Sequence, residues 1–169
     1  DKHTIESGQC HDLSFITLAC FTQAIADNLQ QRLALQILKM VRQVTNKPII
    51  LSQTPFPDVR LAGYDDARWN FLKGVNKKSL YDAFNNGCIN ALSEYKAKYV
   101  PQPESTLINY VYTGLKYSKE SRGIGRSMHD ESDIGHMNHE YGKLVWSDLA
   151  TLLWTPGFLS GHPVLEVPG

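Results

Sequence analysis

The positions of hydrophobic and polar residues along the first half of the chain predict a strand, a helix and a second strand. Large apolar residues alternate with small or polar ones over residues 12–21, which predicts a largely buried strand. A wide apolar stripe with helical spacing follows, and it predicts a helix capped by Asp27 and ended by residues 46–48. The β-rich run at residues 48–53 predicts the next strand. With connections this short, the three elements predict a βαβ unit with parallel strands.

The second half of the chain continues the alternation. Residues 58–76 are polar and predict an excursion at the carboxyl end of a strand, where open α/β sheets bind ligands. Helical spacing predicts a helix over residues 79–99, and a β-rich alternation predicts a third strand over residues 106–112. A polar loop leads to a final helix over residues 138–154. We therefore expect an α/β fold, with residues 1–169 forming one domain.

Composition narrows the class of protein. The chain has 169 residues, of which 42% are hydrophobic and 20% charged, as expected of a soluble globular domain with a sizeable core. Seventeen basic residues balance 17 acidic ones, so neither nucleic acid nor an anionic membrane is an expected partner. The longest nearly apolar run, residues 13–21, is too short to span a bilayer. The three cysteines form no CxxC pair, so no disulfide framework is implied.

The strongest candidate chemistry lies in the turn before the final helix. Asp133 and His136 stand three residues apart there, beside Gly135. A carboxylate at this spacing can hold the tautomer of an imidazole or polarise what the imidazole activates. The same two residues are also common at the surface of a helix start, where the helix dipole favours an acidic side chain. From spacing alone, both interpretations stay open.

Metal binding is a rival interpretation of the same stretch. Four candidate ligands fall close together: His129, Asp133, His136 and His139. His136 and His139 could share a helix face, as zinc ligands do, but no HExxH pattern is present. We therefore expect neither a metal nor another cofactor.

A nucleophile is not recognisable in the chain. Ser7 precedes Gly8, and Cys10 follows soon after, but a nucleophile elbow needs a strand before it and a helix after it. Here too few residues precede Ser7 to form that strand, and a predicted strand rather than a helix follows directly. Both residues are therefore interpreted as loop residues.

Taken in this order, the elements and the Asp-x-x-His turn resemble the C-terminal two-thirds of an SGNH (GDSL-like) hydrolase. Residues 133–138 resemble the Asp-x-x-His block of that family, and residues 47–57 resemble its penultimate core strand with a Pro-rich exit. The resemblance implies a flavodoxin-like three-layer α/β/α sandwich with a mainly parallel sheet, lacking its first strand block. It also implies a Ser–His–Asp triad, with His136 as general base and then general acid and Asp133 orienting its ring. The implied substrate is a small-molecule or carbohydrate ester.

Two blocks of the family are missing from this sequence. No Gly-Asp-Ser block is present, and residues 19–23 stand where a Gly-x-Asn-Asp block is expected. Thr22 or Gln23 would then have to donate to the oxyanion. Two expectations follow: an N-terminally incomplete ester hydrolase or acyl transferase whose nucleophile lies in a missing segment of the same protein, or a domain on this fold that binds a ligand without catalysis. The start at Asp1 rather than Met favours the first.

Overall fold

The computed structural model describes residues 16–63, 76–120 and 135–156. Four helices and two small sheets make up this part of the chain, which confirms the α/β class. The helices are α1 (Leu18–Gln30), α2 (Leu33–Val44), α3 (Lys77–Ser93) and α4 (His139–Leu153). The strands are β1 (Ile49–Ser52), β2 (Ala97–Val100), β3 (Leu107–Ile108) and β4 (Tyr112–Thr113). Among the helices of the described ranges, none has both the length and the apolar character needed to cross a membrane.

The strand predicted over residues 12–21 is wrong where the structure can test it. Residues 12–15 lie outside the described ranges, and α1 begins at Leu18. The hydroxyl of Thr17 caps the helix by accepting a hydrogen bond from the backbone N–H of Cys20 at 3.1 Å. The side chains of α1 that are buried or half-buried recur three and four residues apart from Leu18 to Leu29. A short apolar run fits both periods, and here the helical one is realised.

The single helix predicted from Asp27 is in fact two helices. The chain leaves helical geometry at Arg32, whose ψ of 146° is extended, and α2 starts at the next residue. Asp27 lies inside α1 rather than at a cap, and it accepts a hydrogen bond from Gln23 at 2.9 Å. The predicted end of the helix is confirmed, because α2 stops at Val44, just before residues 46–48.

The parallel sheet pairs β1 with β2, not with the strand predicted near the N-terminus. The Cα register runs from Ile49 opposite Ala97 to Ser52 opposite Val100. β1 lies where the sequence predicts a strand, whereas β2 occupies the last part of the helix predicted over residues 79–99. The turn between α3 and β2 explains the error. Lys96 adopts a left-handed φ of 50° there, which ends the helical course although the apolar spacing continues.

The third predicted strand is a tight antiparallel hairpin. β3 and β4 are joined by a turn in which Asn109 and Tyr110 have φ values of 51° and 63°. The β-rich alternation over residues 106–112 therefore covers a reversal of chain direction. Without the usual Gly of such turns, the sequence carries no signal for it.

The predicted final helix is confirmed as α4, with Asn138 as its cap. Two apolar clusters lie under the helices. One joins Leu35 and Leu38 of α2 to Leu92 and Tyr95 at the end of α3, against the parallel strands. The other joins Leu61, Leu80 and Tyr112, with α1 packed beside it. The first cluster thus packs α2 and the end of α3 on the parallel strands, and the second packs the start of α1 and of α3 on residues 59–61 and the hairpin.

Close packing of α1 on α3 depends on Gly87. A Cβ at this position would lie 2.7 Å from Ile25 Cβ and from the carbonyl oxygen of Thr22. Gly87→Ala is therefore expected to lower the free energy of unfolding by about 1–3 kcal/mol, because the overlap outweighs the better helix propensity of Ala. Urea unfolding followed by circular dichroism measures the change.

Gly142→Ala in α4 is the matched control, since in the part of the chain that the structure describes no atom outside the local helix backbone lies within 4 Å of a Cβ placed there. This variant should be unchanged or up to about 1 kcal/mol more stable. Equal stabilisation by both substitutions would contradict the close contact between α1 and α3.

Candidate functional site

The turn that contains His136 is held in place by Asn138. The Asn138 side-chain oxygen accepts from the backbone N–H groups of Glu140 and Tyr141, at 3.1 and 3.3 Å, and so caps α4. Its amide nitrogen donates to the carbonyl oxygens of Lys116 and Lys119, at 2.7 and 2.9 Å. A short side chain thus starts the helix and also ties it to residues 116–119.

Two further contacts strengthen this junction. The backbone N–H of Asn138 donates to the carbonyl oxygen of Tyr117 at 2.6 Å. The rings of Tyr117 and Tyr141 meet edge to face, with centroids 6.4 Å apart. Both tyrosines are buried, so the first turn of α4 packs on the 3-10 helix Leu115–Tyr117. The backbone at Asn138 is therefore defined by polar and apolar contacts together.

The same segment reaches a buried carboxylate at the carboxyl end of β1. Ser118 donates its hydroxyl hydrogen to Asp58 Oδ2. Asp58 is fully buried, and its Oδ1 also accepts from the backbone N–H and Nε of Arg60, at 2.6 and 3.0 Å. Burial alone would raise the pKa of Asp58, but the hydrogen bonds from Arg60 and Ser118 and the charge of Arg60 lower it below its usual value. Asp58 is thus held ionised.

A buried amide joins the ends of both parallel strands to the hairpin. Gln102, two residues beyond β2, donates from Nε2 to the hydroxyls of Thr106 and Thr113, at 2.8 and 2.9 Å. Its Oε1 accepts from the backbone N–H of Phe56 at 2.7 Å. Thr113 in turn donates to the carbonyl oxygen of Phe56. The backbone N–H of Thr113 also donates to the carbonyl oxygen of Pro57 at 2.8 Å, which links this set of hydrogen bonds to the segment of Asp58.

Of the predicted acid–base pair, only His136 lies within the described ranges. His136 is exposed and lies two residues before the α4 cap. Asp133 lies outside the described ranges, as does His129 of the rival metal interpretation. His139 lies at the start of α4, with Nε2 2.8 Å from Glu140 Oε1. Within residues 16–63, 76–120 and 135–156, no group of three or more His, Cys, Asp or Glu residues is placed to hold a metal ion.

The predicted oxyanion donors lie on α1. Thr22 is half-buried where α1 packs on α3, and its carbonyl oxygen faces Gly87. Gln23 is exposed, and its amide donates to Asp27 on the same helix. The loop predicted to contain Ser7 and Cys10 lies outside the described ranges.

Several buried groups that resemble nucleophiles are unsuited to that role. Burial raises the pKa of the Cys88 thiol, which keeps it protonated. Ser118 is buried and already donates to Asp58. Burial also raises the pKa of Tyr99, and it raises the pKa of Tyr141 to about 12. Of these residues, Ser118 and Tyr141 support the junction at Asn138.

Sequence reasoning missed this supporting network. Asp58 lies far from Gln102, Thr113 and Ser118 in the sequence, and only the fold brings it beside them. The one available signal was the position of Asp58 directly after the Pro-rich exit of a predicted strand. Comparisons with protein-family models, with curated proteins and with solved structures find no match to this chain.

The lowered pKa of Asp58 predicts how stability depends on pH. The folded-state pKa lies below that of an unfolded aspartate, so ionised Asp58 stabilises the fold above about pH 4. This stabilisation is lost as the pH falls through the folded-state value. Asp58→Asn should lower the free energy of unfolding at pH 7 by about 1–3 kcal/mol and flatten its acid dependence. Thermal unfolding between about pH 2 and 7 measures both effects.

Asp148→Asn, on the exposed side of α4, is the control. It is expected to change the stability at pH 7 by less than about 0.5 kcal/mol. A stability profile of Asp58→Asn that followed that of the unmodified protein down to acid pH would contradict the role of the buried carboxylate.

Proposed function

We propose that the protein is an SGNH-type ester hydrolase or O-acyl transferase whose acid–base residue is His136. The observation that carries this proposal is the set of hydrogen bonds from Asn138 to residues 116–119. It fixes the start of α4, two residues beyond the imidazole, to the network at the carboxyl end of the parallel strands. Open α/β sheets bind their ligands at this end. An exposed imidazole on a turn fixed in this way suits acid–base work on a bound substrate.

The topology around the turn supports the same proposal. β1 and β2 are parallel and joined through α3, and the chain then passes through a polar segment to the His136 turn and α4. The proposed complete fold is a three-layer sandwich with a mainly parallel sheet. β1 and β2 would be two of its strands.

The proposed chemistry assigns each proton. His136 takes the hydroxyl proton of a serine as the oxygen attacks the acyl carbon, and a tetrahedral oxyanion forms. The imidazolium then gives its proton to the leaving alcohol as the ester C–O bond breaks. Water or a second alcohol repeats the sequence on the acyl-enzyme, which gives hydrolysis or transfer. Asp133 would orient the ring and stabilise its charged form.

The serine would come from a segment of the same protein that carries a Gly-Asp-Ser block. Thr22 and Gln23 remain the proposed oxyanion donors, and Gln23 would first have to release Asp27. The substrate class that fits this chemistry is an O-acyl ester, including acylated carbohydrate. No cofactor takes part in the proposed reaction.

Replacement of His136 tests the proposal. In the complete protein, His136→Ala should reduce kcat for short-chain nitrophenyl esters by about 100-fold or more, because the general base is lost. His139→Ala is the matched control, since this histidine is three residues away, exposed and paired with Glu140. Loss of activity in both variants, or in neither, would show that His136 does not have the assigned role.

The alternative function is a domain that binds a ligand on the same fold without catalysis. The absence of a Gly-Asp-Ser block from the sequence favours it. Its ligand would lie beside the predicted excursion over residues 58–76, of which residues 64–75 lie outside the described ranges and residues 58–63 follow β1. A fluorophosphonate probe that labels serine nucleophiles distinguishes the two functions. Labelling of the complete protein at a serine, abolished by prior heat unfolding, is expected for the enzyme, and its absence for the binding domain.

A further inference from the structure

The outer face of α2 carries a row of exposed apolar side chains. Leu33 is 70% exposed, Ile37 49%, Met40 67% and Val44 84%. Their spacings of four, three and four residues are those of a seam along which two helices pack. Val41, on the adjacent turn, widens the row.

The opposite face of α2 is fully engaged within its own chain. Leu35 and Leu38 are buried against the end of α3 and the parallel strands. Arg42 donates to the carbonyl oxygens of Tyr95 and Lys47, both at 2.8 Å. Lys39 Nζ lies 5.9 Å from the centre of the Tyr95 ring. The only two charged side chains of α2 are therefore turned toward their own chain.

The flanks of the apolar row are neutral. Gln36 and Gln43 lie beside it, and the helix contains no acidic residue. A second copy of the same surface would meet no like charge at the seam, whereas a charged partner would find no complementary charge there. The neutral surface therefore favours contact with the same surface of a second copy of the chain.

The size of the row fits a helix pair between two copies. The exposed parts of its five side chains amount to about 600 Å² per chain, against about 800 Å² per partner in a stable interface of standard size. Apolar surface of this extent lies at the upper end of what monomeric proteins expose, and patches of this size often mark interaction sites. It suits a weak, concentration-dependent dimer.

We propose that α2 forms a homodimer by packing antiparallel on α2 of a second copy. Ile37 then faces Met40 of the other copy, and Leu33 faces Val44. The antiparallel arrangement places the positive end of each helix dipole beside the negative end of the other. The two-fold axis passes between Ile37 and Met40, so one surface serves both copies.

Sedimentation equilibrium of the full chain tests the dimer. The average mass should rise from 19.0 kDa toward twice that value as the concentration increases. The useful range is about 5–500 µM, where weak interfaces associate. A constant mass of 19.0 kDa throughout would overturn the proposal.

A charged substitution in the apolar row tests whether α2 forms the dimer interface. Ile37→Glu should weaken association by about tenfold or more, because it buries an unpaired carboxylate. Ile89→Glu on α3 is the control, since Ile89 is 51% exposed and lies outside the row. Its dimerisation should match that of the unmodified chain. Equal weakening by both substitutions, or by neither, would overturn the assignment to α2.

A mixture of two variants tests the antiparallel register. Recovery of association in the mixture would also show that neither variant had lost association through misfolding. Met40→Lys alone should also weaken association. When it is mixed with Ile37→Glu, the introduced ammonium and carboxylate face each other across the seam, and a mixed dimer should form at least about fivefold more tightly than either variant alone. A mixture no tighter than its components would overturn the register.

Discussion

Gln102 lies two residues beyond β2, and its groups satisfy hydrogen-bonding needs on three neighbouring segments. Its amide reaches the exit of β1 at Phe56, the 3-10 turn at Thr106 and the hairpin at Thr113, while its backbone N–H donates to Gln53 at 3.0 Å. All of these groups are removed from water to a large extent, and an unpaired one costs about 1–3 kcal/mol. The loops at the carboxyl end of the sheet can therefore pack tightly only while this amide remains in place. Asp58 and Ser118 extend the network to the segment that holds α4.

The sequence was sufficient to predict elements whose signals are local. β1 is a β-rich run bounded by prolines, and α4 combines an Asn cap with sustained helical spacing. Both are found where they were predicted. The errors fall where local patterns fit two structures. Residues 18–21 fit a strand or a helix, and the tertiary contact with α3 favours the helix. At Lys96 and at the pair Asn109 and Tyr110, left-handed residues other than glycine redirect the chain, so the sequence lacks the glycine that usually marks such a turn.

The residues of the candidate site also divide into those with a local sequence signal and those placed only by tertiary contacts. His136 could be singled out because its turn precedes a strongly periodic helix, and its neighbour Asn138 was visible as a polar residue at the helix start. The residues that hold the start of α4 could not be predicted, since they lie in a separate segment, residues 116–119, and have an ordinary local context. Ser118 and Lys116 differ in no way from other loop residues until the fold places them beside Asp58 and Asn138. Hydrogen bonds between distant segments leave no periodic pattern in the sequence, so the hydrophobic spacing does not predict them.

The double role of Asn138 links the dynamics of α4 to those of the site. One side chain caps the helix and binds the carbonyl oxygens of Lys116 and Lys119. Fraying of the first turn and release of the segment before it are therefore coupled in one local opening equilibrium, because both break hydrogen bonds of the same side chain. A ligand that binds only the closed state would lower the population of the open state. Amide hydrogen exchange at Glu140 and Tyr141 would then become slower. The backbone of α4 would then report on an event in the loop that precedes it.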